Sequence, residues 1–265
     1  MRKKRLIILC SILSVIAVLI VLASTVFMLS SVKVNFLESG MQVLSELDAQ
    51  QIVKSGKFKY GSNILFSDFE KQMARIEKAH PFAKVHKVER KFPNKAIVHI
   101  SERSPACHVK QNGNVYVLDS EFKVLLVVYQ ENFNSGNTQI PSNALNTPQL
   151  VGVTLSEGIS SGDFEDNAVA MAIIKSIQNS LEKISHSILD LSKIDISQDK
   201  NNQLMLNLHV GENQLTLQVV GDTSLQTKLT NGFFTYFNHL KENGDTAGKI
   251  HVSDSNINSP TYINN

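Results

Sequence analysis

The sequence predicts an α+β protein: one N-terminal transmembrane helix, then a β-α-α-β-β module, then a second, mixed β-rich domain with two helices. Three observations predict it. Residues 6–29 run 24 positions without a charge. After residue 31, short segments alternate apolar and polar residues with the period of two that marks half-buried strands. Between them, four stretches read as helices, with apolar residues at helical spacing clearest in two of them.

The uncharged run, LIILCSILSVIAVLIVLASTVFML, is long enough as a helix to cross a hydrocarbon layer of about 30 Å. Arg2, Lys3, Lys4 and Arg5 precede it within a basic stub of residues 1–5. Positive charge beside a membrane helix is retained in the cytoplasm, so the expected topology is single-pass in the cell membrane (type II), with everything after the helix outside. A cleaved signal peptide also begins with basic residues, but its apolar core spans only about 7–15 residues. Ala23, Ser24 and Thr25 lie inside the run rather than after it. A retained anchor is the better reading.

The first exported domain is expected at residues 32–103. Val32, Val34 and Phe36 mark one face of a strand, and Leu44 to Ile52 reads as a short helix stopped by Gly56. Ser67 and Glu70 have capping-box spacing, and Phe69, Met73 and Ile76 follow at helical intervals until His80-Pro81 closes the helix. Residues 82–90 and 95–103 read as two strands joined at Pro93-Asn94, a turn that sets their register, with Val88 and Ile100 or their neighbours facing inward.

The second domain is expected at 104–253. Residues 113–130 read as two strands around Asp119-Ser120, and 131–146 as an Asn/Ser/Gly-rich loop. A helix over 166–183 presents Val169, Ile173, Ile177 and Leu181 on one face. Three alternating runs, ILDLSKIDIS, QLMLNLHV and NQLTLQVV, predict neighbouring antiparallel strands. A last helix spans about 224–242, and 249–253 is a short strand. Residues 254–265, polar and Asn-rich, read as a tail.

Composition narrows the chemistry. Formal net charge is +2, and setting aside the four charges of the stub leaves −2. That balance offers no footprint for nucleic acid. Cys10 falls in the anchor and Cys107 outside it, so the two cannot pair within one chain. His86, His99 and His108 come nearest to a metal cluster, but no third ligand has zinc spacing. Nucleophile motifs and glycine-rich phosphate loops are absent, and Asp163, Glu165 and Asp166 read as helix-start acids. No catalytic residue, cofactor, metal or small-molecule substrate is expected.

Residues 61–106 resemble the POTRA domain of the bacterial cell-division proteins FtsQ and DivIB. The likeness is carried by Gly61, Asn63, Ile64 and Leu65, by Pro81 and Phe82, by Val88, Arg90, Phe92, Pro93 and Asn94, and by Glu102, Arg103 and Pro105. The order of stub, anchor, single POTRA-like module and β-rich second domain is similar to that family along nearly the whole chain. The resemblance implies a non-enzymatic scaffold of the divisome at the septum, binding FtsB/DivIC-like and FtsL-like membrane proteins through its last strand and helix. Ile250, His251, Val252 and Tyr262 are the partner-binding residues it suggests, with His251 standing where the family often has an acid. Arg90, Glu102 and Arg103 are expected to maintain the fold rather than to touch a partner. The alternatives are a POTRA-bearing accessory of protein export and assembly, and an anchored exported cell-wall hydrolase.

Overall fold

A 25-residue helix, α1 (Arg2–Val26), opens the chain and extends about 37 Å at 1.5 Å per residue. The computed structural model describes residues 2–38, 41, 43–45, 48–136 and 140–264, and within these the side chains of all but 2–9, 22 and 23. Among the described residues no helix is long and apolar enough to cross a membrane, so the span expected at 6–29 is not found there. The side chains of the basic stub lie outside the described residues. The C-terminal boundary moves as well. The helix closes at Val26, and Phe27 to Leu29 leave it because their backbone pairs with residues 61–64 instead.

Two units follow from the contacts within the chain, residues 1–102 and 103–265. The first holds β1 (Ser31–Phe36), α2 (Ala49–Gly56), α3 (Glu70–Ala79), β2 (Ala83–Lys91) and β3 (Lys95–Glu102). Its sheet order is β1-β3-β2, with β1 parallel and β2 antiparallel to β3. Lys91 pairs with Lys95, so Phe92, Pro93 and Asn94 form the loop. A bulge between Val85 and Lys87 turns His86 outward, leaving Val85 buried opposite Ile100 and Val88 half-buried opposite Val98. Ile52, Ile64, Ile76, Phe82, Ala96 and Val98 complete this core.

Two helix starts differ from expectation. Ser45 donates its backbone and hydroxyl groups to the Asp48 carboxylate, and α2 begins only after that turn; Glu46 and Leu47 of the helix expected at 44–52 lie outside the described residues. Ser67 does not cap α3. Its hydroxyl donates back to the Asn63 carbonyl, while the Asp68 carboxylate accepts from the Glu70 amide.

The second unit is built on a nine-stranded sheet. Its strands are β4 (Pro105–Gln111), β5 (Asn114–Asp119), β6 (Val124–Tyr129), β7 (Gln149–Val151), β8 (Leu191–Gln198), β9 (Leu204–Val210), β10 (Leu215–Val220), β11 (Gly248–Val252) and β12 (Thr261–Ile263). Their spatial order is β12-β11-β10-β9-β8-β7-β4-β5-β6. Between β6 and β7 stand two short helices, α4 (Gln130–Asn134) and α5 (Ser142–Leu145), where a loop was expected. The longer α6 (Ala168–Glu182) and α7 (Leu225–Asn243) join one main core with the sheet.

Asn167 caps α6 by accepting from the Ala170 amide. The face α6 buries is Ala170, Ile173, Ile174, Ile177 and Leu181. Val169, expected on that face, is exposed, because at helical spacing it lies off the side that Ala170, Ile173, Ile174, Ile177 and Leu181 share. The acids before it brace the preceding loop: Asp163 accepts from Ser160, and Glu165 from Ser156. Of residues 254–265, expected to be a tail, the described ones turn back and add β12 (Thr261–Ile263) to the sheet.

Candidate partner-binding edge

The C-terminal end of the sheet is assembled by an alternation that sends every second residue inward. In β11, Ile250 and Val252 are fully buried in the main core, where they meet α7 residues such as Phe233 within one apolar cluster. Both pair with β10, and Ile250 pairs with β12 on its other side. As partner-binding side chains these two positions are therefore corrected: they carry the edge without reaching its surface. His251 points to the opposite, half-exposed face.

There His251 lies level with Gln218 of β10 and Thr261 of β12. Gln218 Nε2 donates to Asn207 Oδ1 at 2.9 Å, so its Oε1 accepts, and His251 Nδ1, 3.1 Å away, carries the proton. Burial, and then the charge of Lys249, hold the His251 pKa below the ordinary histidine value. It is a neutral donor in a polar row across three strands.

β12 closes the sheet, and all three of its residues are exposed. It is held by a register of Lys249↔Ile263, Ile250↔Tyr262 and His251↔Thr261. Tyr262 Oη donates to the Ala247 carbonyl at 2.8 Å, and its ring stacks on His239 of α7 at 4.5 Å. The turn leading into β12 is fastened by Asn256, whose amide donates to the His251 carbonyl and the Thr261 hydroxyl. Asn231 of α7 donates to the Ile257 carbonyl.

Two further residues supporting this edge went unread in the sequence. Lys228, fully buried in α7, donates to the Val220 carbonyl at 2.8 Å and pairs with Asp254 at 2.8 Å. Its signal was a lysine inside the apolar stripe that Leu229, Phe233 and Tyr236 define. Gly248 is the other. Its φ is +152°, and a Cβ there would lie 2.7 Å from the Ile263 carbonyl oxygen and 2.7 Å from the Tyr262 ring. A glycine lets β12 approach this closely.

The residues singled out in the first unit are structural in their geometry. Gly61 donates its amide to the Leu29 carbonyl, and Asn63 bridges Met28 while its side chain accepts from the Leu65 amide. Pro81 and the buried Phe82 make the turn between α3 and β2. Arg90 donates to the Ile64 carbonyl at 2.9 Å and the Ser67 carbonyl at 2.6 Å, and its guanidinium lies over Phe69. Pro93 sits at the tip of the β2-β3 loop. Glu102 accepts from the Val43 and Leu44 amides.

Arg103 and Pro105 belong to the second unit. Arg103 donates to Asp119 at 2.6 Å and Glu121 at 2.8 Å, with both Arg103 and Asp119 buried. Asp119 in turn accepts from the Glu121 and Lys123 amides. Pro105 starts β4 opposite Asp119.

The histidines do not gather. His86 meets Ser101, His99 meets Glu89 and Asn35, and His108 meets Thr147. Among the described residues no group of three His, Cys, Asp or Glu side chains is placed to hold a metal ion. Burial pushes the Cys107 thiol far up, with the Asp119 charge adding to it, so the thiolate is disfavoured.

Residues 40–103 match the family model of the POTRA domain, FtsQ-type. The chain carries an FtsQ-type POTRA domain. The match takes in α2, α3, β2 and β3 and reaches Glu102 and Arg103, and it supports membership of the FtsQ/DivIB family. No curated protein matches the chain.

Proposed function

We propose that this FtsQ-type POTRA protein is a non-enzymatic, single-pass scaffold of the bacterial divisome, with its N-terminus in the cytoplasm and both units outside. Its partners in this reading are FtsB/DivIC-like and FtsL-like membrane division proteins. The observation that carries it is β12, a terminal strand with no charged residue and three exposed side chains. Terminal strands present unpaired backbone donors and acceptors that an extended segment of a partner can complete. The β2 edge of the POTRA sheet is less suited to this. It carries Lys84, Lys87, Glu89 and Lys91 and a bulge at His86, features that blunt strand addition.

Anchorage rests on the uncharged 24-residue run behind a basic stub and on the exposed apolar side chains of α1 from Ile12 to Val21. Holding the scaffold in the membrane plane raises the local concentration of each weak interface. The test is a fluorescent protein fused to the N-terminus at native expression and imaged in dividing cells. A band at the division site is expected. A uniform membrane signal through the cycle would overturn the reading and favour an export accessory.

A further inference from the structure

We propose that the membrane-proximal end of the POTRA unit is a lipid-contacting collar, seated in the headgroup region of an anionic membrane around the point where α1 ends. This rests on the reading of α1 as the anchor. The chain leaves no linker between the two. One residue after Val26, the backbone is already built into the module: Ile64 donates to the Phe27 carbonyl at 2.8 Å, Leu29 donates to the Ser62 carbonyl at 2.8 Å, and Ser30 donates to the Asn94 carbonyl at 2.8 Å. The loops at 60–66 and 92–94 are thereby fixed beside the last turn of the helix. The Phe27 and Phe92 rings stand edge to face at 6.0 Å.

What these loops expose is unlike a water-facing surface. Phe66 is 86% exposed, Phe92 58%, Tyr60 53% and Met28 41%. Single exposed apolar residues are ordinary, but four on segments hydrogen-bonded to one another at the end of an apolar helix form a patch. Aromatic side chains favour the membrane–water interface, where the ring is apolar and its surroundings are wet. Lys59, Lys91 and Lys95, which flank these two loops, are exposed, and their charges complement anionic headgroups. Asp68 is the acid lining the cleft beside Phe66 and Leu29; its carboxylate accepts from the Glu70 amide.

The chain contains no tryptophan, so one introduced tryptophan reports on one place. Full-length Phe66→Trp, Phe92→Trp, Val18→Trp and Arg75→Trp would each be reconstituted in phosphatidylcholine–phosphatidylglycerol vesicles with and without brominated acyl chains. The collar predicts that brominated lipid quenches Phe66→Trp and Phe92→Trp, less deeply than Val18→Trp, while Arg75→Trp on α3 is untouched. Replacing phosphatidylglycerol with phosphatidylcholine should weaken the quenching at Phe66→Trp and leave Val18→Trp unchanged. Quenching at Val18→Trp alone overturns the collar and keeps the anchor. No quenching at Val18→Trp, Phe66→Trp or Phe92→Trp overturns both.

Discussion

Replacing Gly248 with alanine is expected to loosen β12 from β11 while leaving the rest of the sheet in place. The added Cβ would sit 2.7 Å from the Ile263 carbonyl oxygen and 2.8 Å from Tyr262 Oη, where ordinary contact begins near 3.4 Å. β12 would have to withdraw by about 0.7 Å, and overlap of this kind costs about 1–3 kcal/mol. The positive φ of +152° adds strain in the same direction. Against it stand a three-pair ladder and the Tyr262 hydrogen bond, at about 1 kcal/mol per bond. The exposed side chains of β12 contribute little burial. Strain and attachment are therefore comparable, so the docked strand opens far more often. At about 1.4 kcal/mol per tenfold, amide exchange across 249–251 and 261–263 should quicken by roughly 10- to 100-fold. Denaturant stability of the second unit should change little. Unchanged exchange at these amides would refute the reasoning, as would loss of protection spreading into β8, β9 and β10.

Arg103→Met should destabilise the second unit by about 3–5 kcal/mol in denaturant unfolding, since it leaves the buried Asp119 carboxylate without its cation. Arg90→Ala should lower the stability of the POTRA unit by about 2–4 kcal/mol, because two backbone carbonyls lose a charged donor. His108 is buried and its pKa is depressed to about 4, chiefly by burial, with the Thr147 hydrogen bond opposing. The unfolded chain therefore takes up the proton first as pH falls. The stability His108 contributes is present above about 6.5 and is lost between there and about 4, by up to about 3 kcal/mol. In His108→Gln, the fall in melting temperature across that window should flatten.

The strands that alternate were legible in the sequence. β9, β10 and β11 read correctly because one face meets the core and the other meets water. β4 did not, because both its faces are covered. Ala106, Cys107 and Val109 enter the main core, while His108 packs against Phe133 beneath the short helices, so PACHVKQ shows no period of two. β12 was missed for the opposite reason. Three exposed residues in an Asn-rich segment carry no burial pattern at all, and only a register with β11, set by Gly248 and fastened by Asn256, makes them a strand.

The site followed the same logic. Ile250, His251, Val252 and Tyr262 were chosen by position in the chain, a choice that passed over the fact that neighbouring strand residues face opposite ways, so that Ile250 and Val252 turn into the core. The POTRA motif was readable because its residues make local turns and backbone clamps within a short stretch, as Arg90 does with Ile64 and Ser67. Lys228 and Asp254 act across 26 positions of sequence, a separation that local pattern does not reveal. The end of α1 depended likewise on pairing with residues 61–64.

The central claim is that partners complete the sheet at β12. The most direct measurement is residue-resolved amide exchange of the full chain, alone and with the extracytoplasmic region of an FtsB/DivIC-like partner. The account predicts new protection at Thr261, Tyr262 and Ile263, and its loss in Gly248→Ala. Protection appearing elsewhere, with β12 exchanging as in the free protein, would contradict it.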